Sequence, residues 1–152
     1  PMLIALPRDH LLASRKEVGL TDLAQERWML GTTKACPDAD RFIQACHVSG
    51  FDPKIAFHHD DYAAILGFVA AGVGVAAVPE MVARKAPREV AICSLGADTM
   101  TRPILATLPA GYRPGPARVM LEVLREISDR WVAKRPHGPP TAKARRRQPA
   151  VA

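Results

Sequence analysis

Four consecutive residues, His58, His59, Asp60 and Asp61, are all of types that bind metal ions. Neighbouring residues on a strand point to opposite faces, so the two histidines cannot both reach one ion unless the chain turns between them. We therefore predict no metal site. Instead, we expect Asp60 or Asp61 to cap the helix that follows, and one of the histidines to face a bound ligand.

Two of the three cysteines, Cys36 and Cys46, are close enough in the chain to suggest a redox pair. Cys36 precedes a predicted helix start, where the helix dipole would stabilise a thiolate. The alternative is two unrelated cysteines, with Cys46 packed in a helix face, and this is the interpretation that we favour. With Cys93, the cysteines are too few and odd in number for a secreted disulfide framework, which favours a cytoplasmic protein.

Thr32 and Thr33 directly follow a predicted strand, where ligands collect in open α/β sheets. Their hydroxyls are suited to hydrogen bonds with a small molecule, or they stabilise a turn. The chain has no G-x-S-x-G, phosphate-binding loop, C-x-x-C or H-E-x-x-H motif. We therefore expect a ligand-binding protein that is not an enzyme and that needs no cofactor.

Strand patterns alternate with helix patterns, which predicts an α/β sheet with parallel crossovers. Gly72 and Gly74 are predicted to form a tight turn from a helix into a strand, and Gly50 to end an earlier helix. Thr21 is predicted to cap a short helix. The expected strands are residues 2–6, 28–31, 54–58, 75–78, 90–95 and 103–108, and the expected helices are residues 37–49, 62–73, 80–85 and 117–131, the last packed on the sheet through its apolar stripe.

The 152 residues suffice for about one domain, and the net charge of +6 is not spread evenly. Residues 1–133 carry 15 cations and 15 anions, whereas residues 134–152 hold the six remaining cations and no anion. This proline-rich basic segment is predicted to be a disordered tail. No run of apolar residues is long enough to span a membrane, and residues 1–10 do not resemble a signal peptide.

The order of motifs from Leu3 to Ser128 resembles the C-terminal effector-binding domain of LysR-type transcriptional regulators. The matching motifs are a strand that ends in proline (residues 3–7), Gly19-Leu20-Thr21-Asp22-Leu23-Ala24, Trp28-Met29-Leu30, Ser49-Gly50-Phe51-Asp52-Pro53, and the run from Val69 to Pro79 with Gly72 and Gly74. The resemblance implies a periplasmic-binding-protein-like (type 2) fold. Residues from about 10 to 100 would form the second subdomain, and residues 101–133 would return to the first.

The resemblance also implies a mechanism. A small-molecule effector binds between two subdomains and shifts a homodimer or homotetramer between DNA-binding states. DNA would be bound only through an N-terminal winged helix-turn-helix, which this chain lacks. The candidate effector-binding residues are Thr32, Thr33, His58, His59, Asp60 and Pro79.

Two other functions stay open at this point. The same fold serves solute-binding proteins of transport systems, which act outside the cytoplasm. The peroxide-sensing branch of the LysR-type regulators has two redox cysteines in this segment, which would correspond to Cys36 and Cys46.

Overall fold

The structure is a computed structural model that describes residues 1–31, 38–96, 100–111 and 114–133. The chain divides into two compact units, Pro1–Arg102 and Pro103–Ala152. The first unit contains a short 3-10 turn at Thr21–Leu23. The strands are β1 (Met2–Pro7), β2 (Arg27–Leu30), β3 (Lys54–His58), β4 (Val75–Pro79) and β5 (Val90–Cys93), and the helices are α1 (Asp38–Val48), α2 (Tyr62–Ala70), α3 (Glu80–Ala83) and α4 (Gly115–Ala133).

The five strands form one sheet in the order β3-β2-β4-β1-β5. β2 is parallel to both β3 and β4, while β1 is antiparallel to β4 and to β5. Parallel neighbours need a crossover, which α1 provides between β2 and β3 and α2 provides between β3 and β4. The predicted α/β class is confirmed, and the carboxyl ends of β2, β3 and β4 lie at the same edge.

Both faces of the sheet carry buried side chains, because successive side chains on a strand point to opposite sides, and the edge strand β3 is the least buried. On β2, Trp28 belongs to the same core cluster as Phe42 and Cys46 of α1. The next residue, Met29, belongs to the cluster that contains Ile65 and Val69 of α2. The two crossover helices therefore pack on opposite faces of the sheet, and β2 lies between them.

The predicted tight turn between α2 and β4 is confirmed. Gly72 has a φ of +75°, a conformation that residues with a Cβ rarely adopt. Gly74 serves a different purpose, because a Cβ at this position would overlap with the carbonyl oxygen of Arg27 in β2. Gly50, which follows α1, has a φ of +88°, as predicted for the end of a helix.

The prediction that Thr21 caps a helix is wrong. Thr21 is the first residue of the 3-10 turn, the preceding Leu20 is already helical, and no side chain caps this turn. The polar contact is made by Asp22, whose carboxylate accepts a hydrogen bond of 3.0 Å from the N–H of Gly19. A turn of three residues is too short to need the cap of an α-helix, so the local signal was misleading here.

One expectation about the second unit is also wrong. Residues 103–108 were predicted to be a strand, but they have no regular structure, and Ile104 and Leu105 are each 79% exposed. A strand needs a neighbour for its backbone groups, and none of the described residues pairs with this segment.

Helix α4 forms as predicted, with an ion pair of 2.7 Å between Glu126 and Arg130. Its apolar stripe includes Met120, Leu124 and Ile127, and its packing on the sheet stays a prediction.

Candidate functional site

Two strand ends come together at the carboxyl edge of the sheet. His58, the last residue of β3, pairs with Leu30, the last residue of β2. The N–H of His59 donates a hydrogen bond of 2.9 Å to the carbonyl oxygen of Leu30, which extends the contact by one residue. The structure thus brings His58 and His59 beside the point where the chain leaves β2 toward Thr32 and Thr33.

The chain turns sharply between His59 and the start of α2. The Nδ1 atom of His59 accepts a hydrogen bond of 3.0 Å from the N–H of Asp61. The Oδ1 atom of Asp61 in turn accepts one of 2.8 Å from the N–H of Ala63, so Asp61 is the N-cap of α2. Because Nδ1 of His59 is an acceptor, its proton lies on Nε2, which is available to donate to a ligand. The predicted cap is confirmed, at Asp61.

Replacing Asp61 with alanine is expected to lower the free energy of unfolding by about 1 kcal/mol, since the first turn of α2 loses the carboxylate that accepts from the N–H of Ala63. The change would be measured by urea denaturation. Asp60→Ala is the matched control, because Asp60 is also exposed but does not cap the helix. Equal losses for the two variants would show that general charge, and not the cap, stabilises this turn.

Tyr62 is a polar residue at this edge that the sequence interpretation missed. It was read as part of an apolar helix stripe, but its hydroxyl lies over Gly31, where a Cβ would be only 3.5 Å from Oη. The signal available in the sequence was its position directly after the predicted helix cap. Tyr62 therefore places a hydroxyl beside the end of β2.

The carboxyl end of β4 differs from that of β3, because its residues are buried although one of them is charged. Pro79 pairs with Met2 of β1, and its own ring is buried. The next residue, Glu80, has an N–H that donates to the carbonyl oxygen of Pro1 at 3.0 Å. The carboxylate of Glu80 is 4% exposed and lies 3.0 Å from the guanidinium of Arg84. Sequence reasoning missed Glu80, because only the fold shows that this acidic residue is buried.

Thr32, Thr33 and Cys36 lie outside the described residues. Cys46 is fully buried in α1 among the core residues that include Phe42. Burial raises the pKa of the Cys46 thiol from 9.0 to about 11, and the negative charge of Asp52 adds to this shift. Cys46 is therefore a protonated, packed thiol at neutral pH, as the interpretation of two unrelated cysteines requires.

Neither a metal site nor a membrane helix is found in the ranges that the structure describes. Within residues 1–31, 38–96, 100–111 and 114–133, no three His, Cys, Asp or Glu side chains form a group that could hold an ion. In the same ranges, no helix combines the length and the apolar character needed to cross a bilayer.

A mixed α/β unit with its polar groups at the carboxyl edge defines a ligand-binding class of fold, and comparison with known proteins gives the family. Residues 1–129 match the family described as LysR substrate binding domain. The chain belongs to this family, and it is a substrate-binding domain of the kind found in LysR-type transcriptional regulators.

Among curated proteins, the chain is 35% identical over 80 residues to the HTH-type transcriptional regulator AlsR of Bacillus subtilis, covering 52% of this chain and 26% of that one. It is 29% identical over 133 residues to the HTH-type transcriptional regulator TtuA of Agrobacterium vitis, covering 84% of this chain and 44% of that one. The chain thus spans less than half the length of these regulators. The match favours the regulator over a solute-binding protein of a transport system.

A solved structure confirms the periplasmic-binding-protein-like fold. The CcmR regulatory domain of Synechocystis PCC6803, in complex with 2-PG, superposes with a TM-score of 0.66 at 20% identity, covering 84% of this chain and 62% of that one. At this identity the likeness concerns the fold alone.

Proposed function

We propose that this chain is the effector-sensing domain of a LysR-type transcriptional regulator. A small polar molecule binds at the carboxyl edge of the sheet and changes how a cytoplasmic homo-oligomer presents its DNA-binding domains. The observation that carries the proposal is the meeting of β2 and β3 at one edge, where the His59 turn leaves polar groups exposed. The proposed effector contacts are Thr32, Thr33, His58, His59, Asp60 and Pro79.

The chemistry of this edge suits a molecule that accepts and donates hydrogen bonds. The Nε2–H of His59 is a donor and the carboxylate of Asp60 is an acceptor. The capping carboxylate of Asp61 already accepts from the N–H of Ala63 at the start of α2, and its negative charge there disfavours an anion. A neutral or singly charged polar effector fits better than a multiply charged one.

The test is a binding screen by thermal unfolding on the complete regulator that contains this chain. The panel begins with small hydroxy acids, sugars and amino acids, and it includes 2-PG, the molecule bound in the Synechocystis CcmR domain, for comparison. We expect at least one compound to raise the unfolding temperature in a dose-dependent way, since a ligand that binds only the folded state stabilises it. A hit should also change the affinity of the regulator for its promoter. A hit that leaves promoter binding unchanged would refute the regulatory role.

His58 and His59 are expected to differ in their effect on the affinity of such a hit. The ring of His59 is fixed by the Asp61 N–H, whereas the ring of the neighbouring His58 makes no hydrogen bond with the described residues. We expect His59→Ala to weaken binding about tenfold, the loss of one oriented hydrogen bond of about 1.4 kcal/mol, and His58→Ala to weaken it less. Titration calorimetry of both variants measures the difference. Equal affinities would remove His59 from the site.

A further inference from the structure

An ion pair connects the start of α1 with the last residue of the first unit. The Nε atom of Arg102 lies 3.3 Å from Oδ2 of Asp38, and the two side chains are 41% and 12% exposed. Asp38 is the first residue of α1, and Arg102 is followed directly by the second unit. The contact therefore joins two points that are far apart in the chain.

The Asp38 carboxylate is less exposed to water than a surface carboxylate, so its charge is stabilised mainly by this contact. Oδ2 is buried and receives no hydrogen bond from the described residues, since the N–H of Arg102 approaches it without the geometry of one. The buried indole N–H of Trp28 lacks a partner in the same part of the chain. Phe42, one turn after Asp38, packs on Trp28 with ring centroids 4.5 Å apart, so this polar start of α1 is fixed on the core. A partly buried charge in this position is costly without its counter-charge.

The segment that contains Arg102 is held at a second point. The N–H of Met2, at the start of β1, donates a hydrogen bond of 2.7 Å to the carbonyl oxygen of Met100. Residues 100–102 thus run beside the end of the sheet at which the proposed effector site lies, because Met2 pairs with Pro79 at the carboxyl end of β4. Two contacts, one to β1 and one to α1, set the path of the chain as it leaves the first unit.

We propose that Asp38 and Arg102 are positioning residues that fix residues 100–102 to the start of α1. The segment that they fix runs beside the carboxyl end of β4, where the proposed effector site lies. This relation to an effector rests on the proposed function. The positioning itself does not require an effector, and it is tested without one.

The test is residue-by-residue amide hydrogen exchange, followed by NMR on the full chain. The amide of Met2 reports directly on the attachment of Met100. We expect Asp38→Asn and Arg102→Gln each to speed exchange at Met2 about tenfold, while the amide of Val69 in the core of α2 is unchanged. Arg102→Lys keeps the charge and should exchange nearly as the unmodified protein does. The double variant should be no faster than either single variant, because both remove the same interaction.

Arg88→Gln is the matched control, because Arg88 also pairs with a carboxylate, that of Glu89 at 2.9 Å, but on an exposed surface. It should leave exchange at Met2 unchanged. The proposal is overturned if Met2 exchanges normally in both single variants, if the two effects add in the double variant, or if all core amides speed up together, which would indicate a loss of global stability. Failure of the effector screen would leave these results unaffected, so the two proposals fail separately.

Discussion

Replacing Gly74 with alanine is expected to lower the free energy of unfolding by about 3 kcal/mol or more. The new Cβ would overlap with the carbonyl oxygen of Arg27, and it would lie 3.1 Å from the carbonyl carbon. These are backbone atoms of β2, which cannot rotate aside as the end of a side chain does. The strand would have to separate from β4 at the adjacent pair, Trp28 and Val75. Urea denaturation followed by circular dichroism measures the loss.

Gly67→Ala is the matched control for this prediction. It makes the same chemical change, but Gly67 lies in α2 and a Cβ there meets no atom within 4 Å. Alanine favours a helix over glycine by up to about 1 kcal/mol, so this variant should be more stable than the unmodified protein. The two substitutions are thus expected to have opposite signs. A similar small effect for both would mean that β2 and β4 adjust to each other more easily than their backbone contact suggests.

The parts of the fold that follow from local patterns were predictable from the sequence. Gly72 and Gly74 follow an apolar helix and precede a buried strand, and this arrangement leaves few ways to make the turn. The failures concern elements that depend on a partner. Residues 103–108 have the composition of a strand, but a strand exists only where another strand pairs with it, and composition does not reveal that. The helical pattern of α4 was read correctly, because it depends only on residues within the helix.

In the candidate site too, local contacts were predictable from the sequence, and contacts between distant segments were not. The Asp61 cap was predictable, because the cap and the N–H that it accepts from are two residues apart. The hydroxyl of Tyr62 over Gly31 and the burial of Glu80 arise from chain segments that meet only in the folded sheet. The ion pair of Asp38 with Arg102 is of this second kind as well, since nothing in either local sequence points to the other residue.

Cys46 is expected to react with thiol reagents about a hundredfold more slowly than an exposed cysteine at pH 8. Its pKa of about 11 is two units above the ordinary 9.0, and the thiolate is the reactive form, so the reactive fraction falls by that factor before steric protection is counted. The measurement uses Cys36→Ser/Cys93→Ser, in which Cys46 is the remaining cysteine, and follows the release of thiolate from an aromatic disulfide reagent. The same variant in urea provides the unprotected rate.

The raised pKa of Cys46 also fixes the sign of a pH effect on stability. Above pH 9 the unfolded chain loses the thiol proton, while the folded protein retains it up to about pH 11, so the unfolded state binds fewer protons. The free energy of unfolding therefore falls as the pH rises between these values, and it does not depend on this thiol below them. Cys46→Ala should remove this part of the pH dependence. An unchanged pH profile would mean that other groups cause the decline.

A slow reaction of Cys46 would count against a peroxide sensor that uses Cys36 and Cys46. Such a sensor needs one thiolate to attack peroxide and a second thiol to reach the oxidised sulfur. Cys46 is fully buried and packs in the cluster that contains Trp28 and Phe42, so it would reach another sulfur only if α1 left the sheet locally. That movement would expose the largest side chains on this face of the core, at a cost of several kcal/mol. Rapid loss of two thiols at low peroxide would show that α1 opens readily, and it would make the redox pair the stronger interpretation.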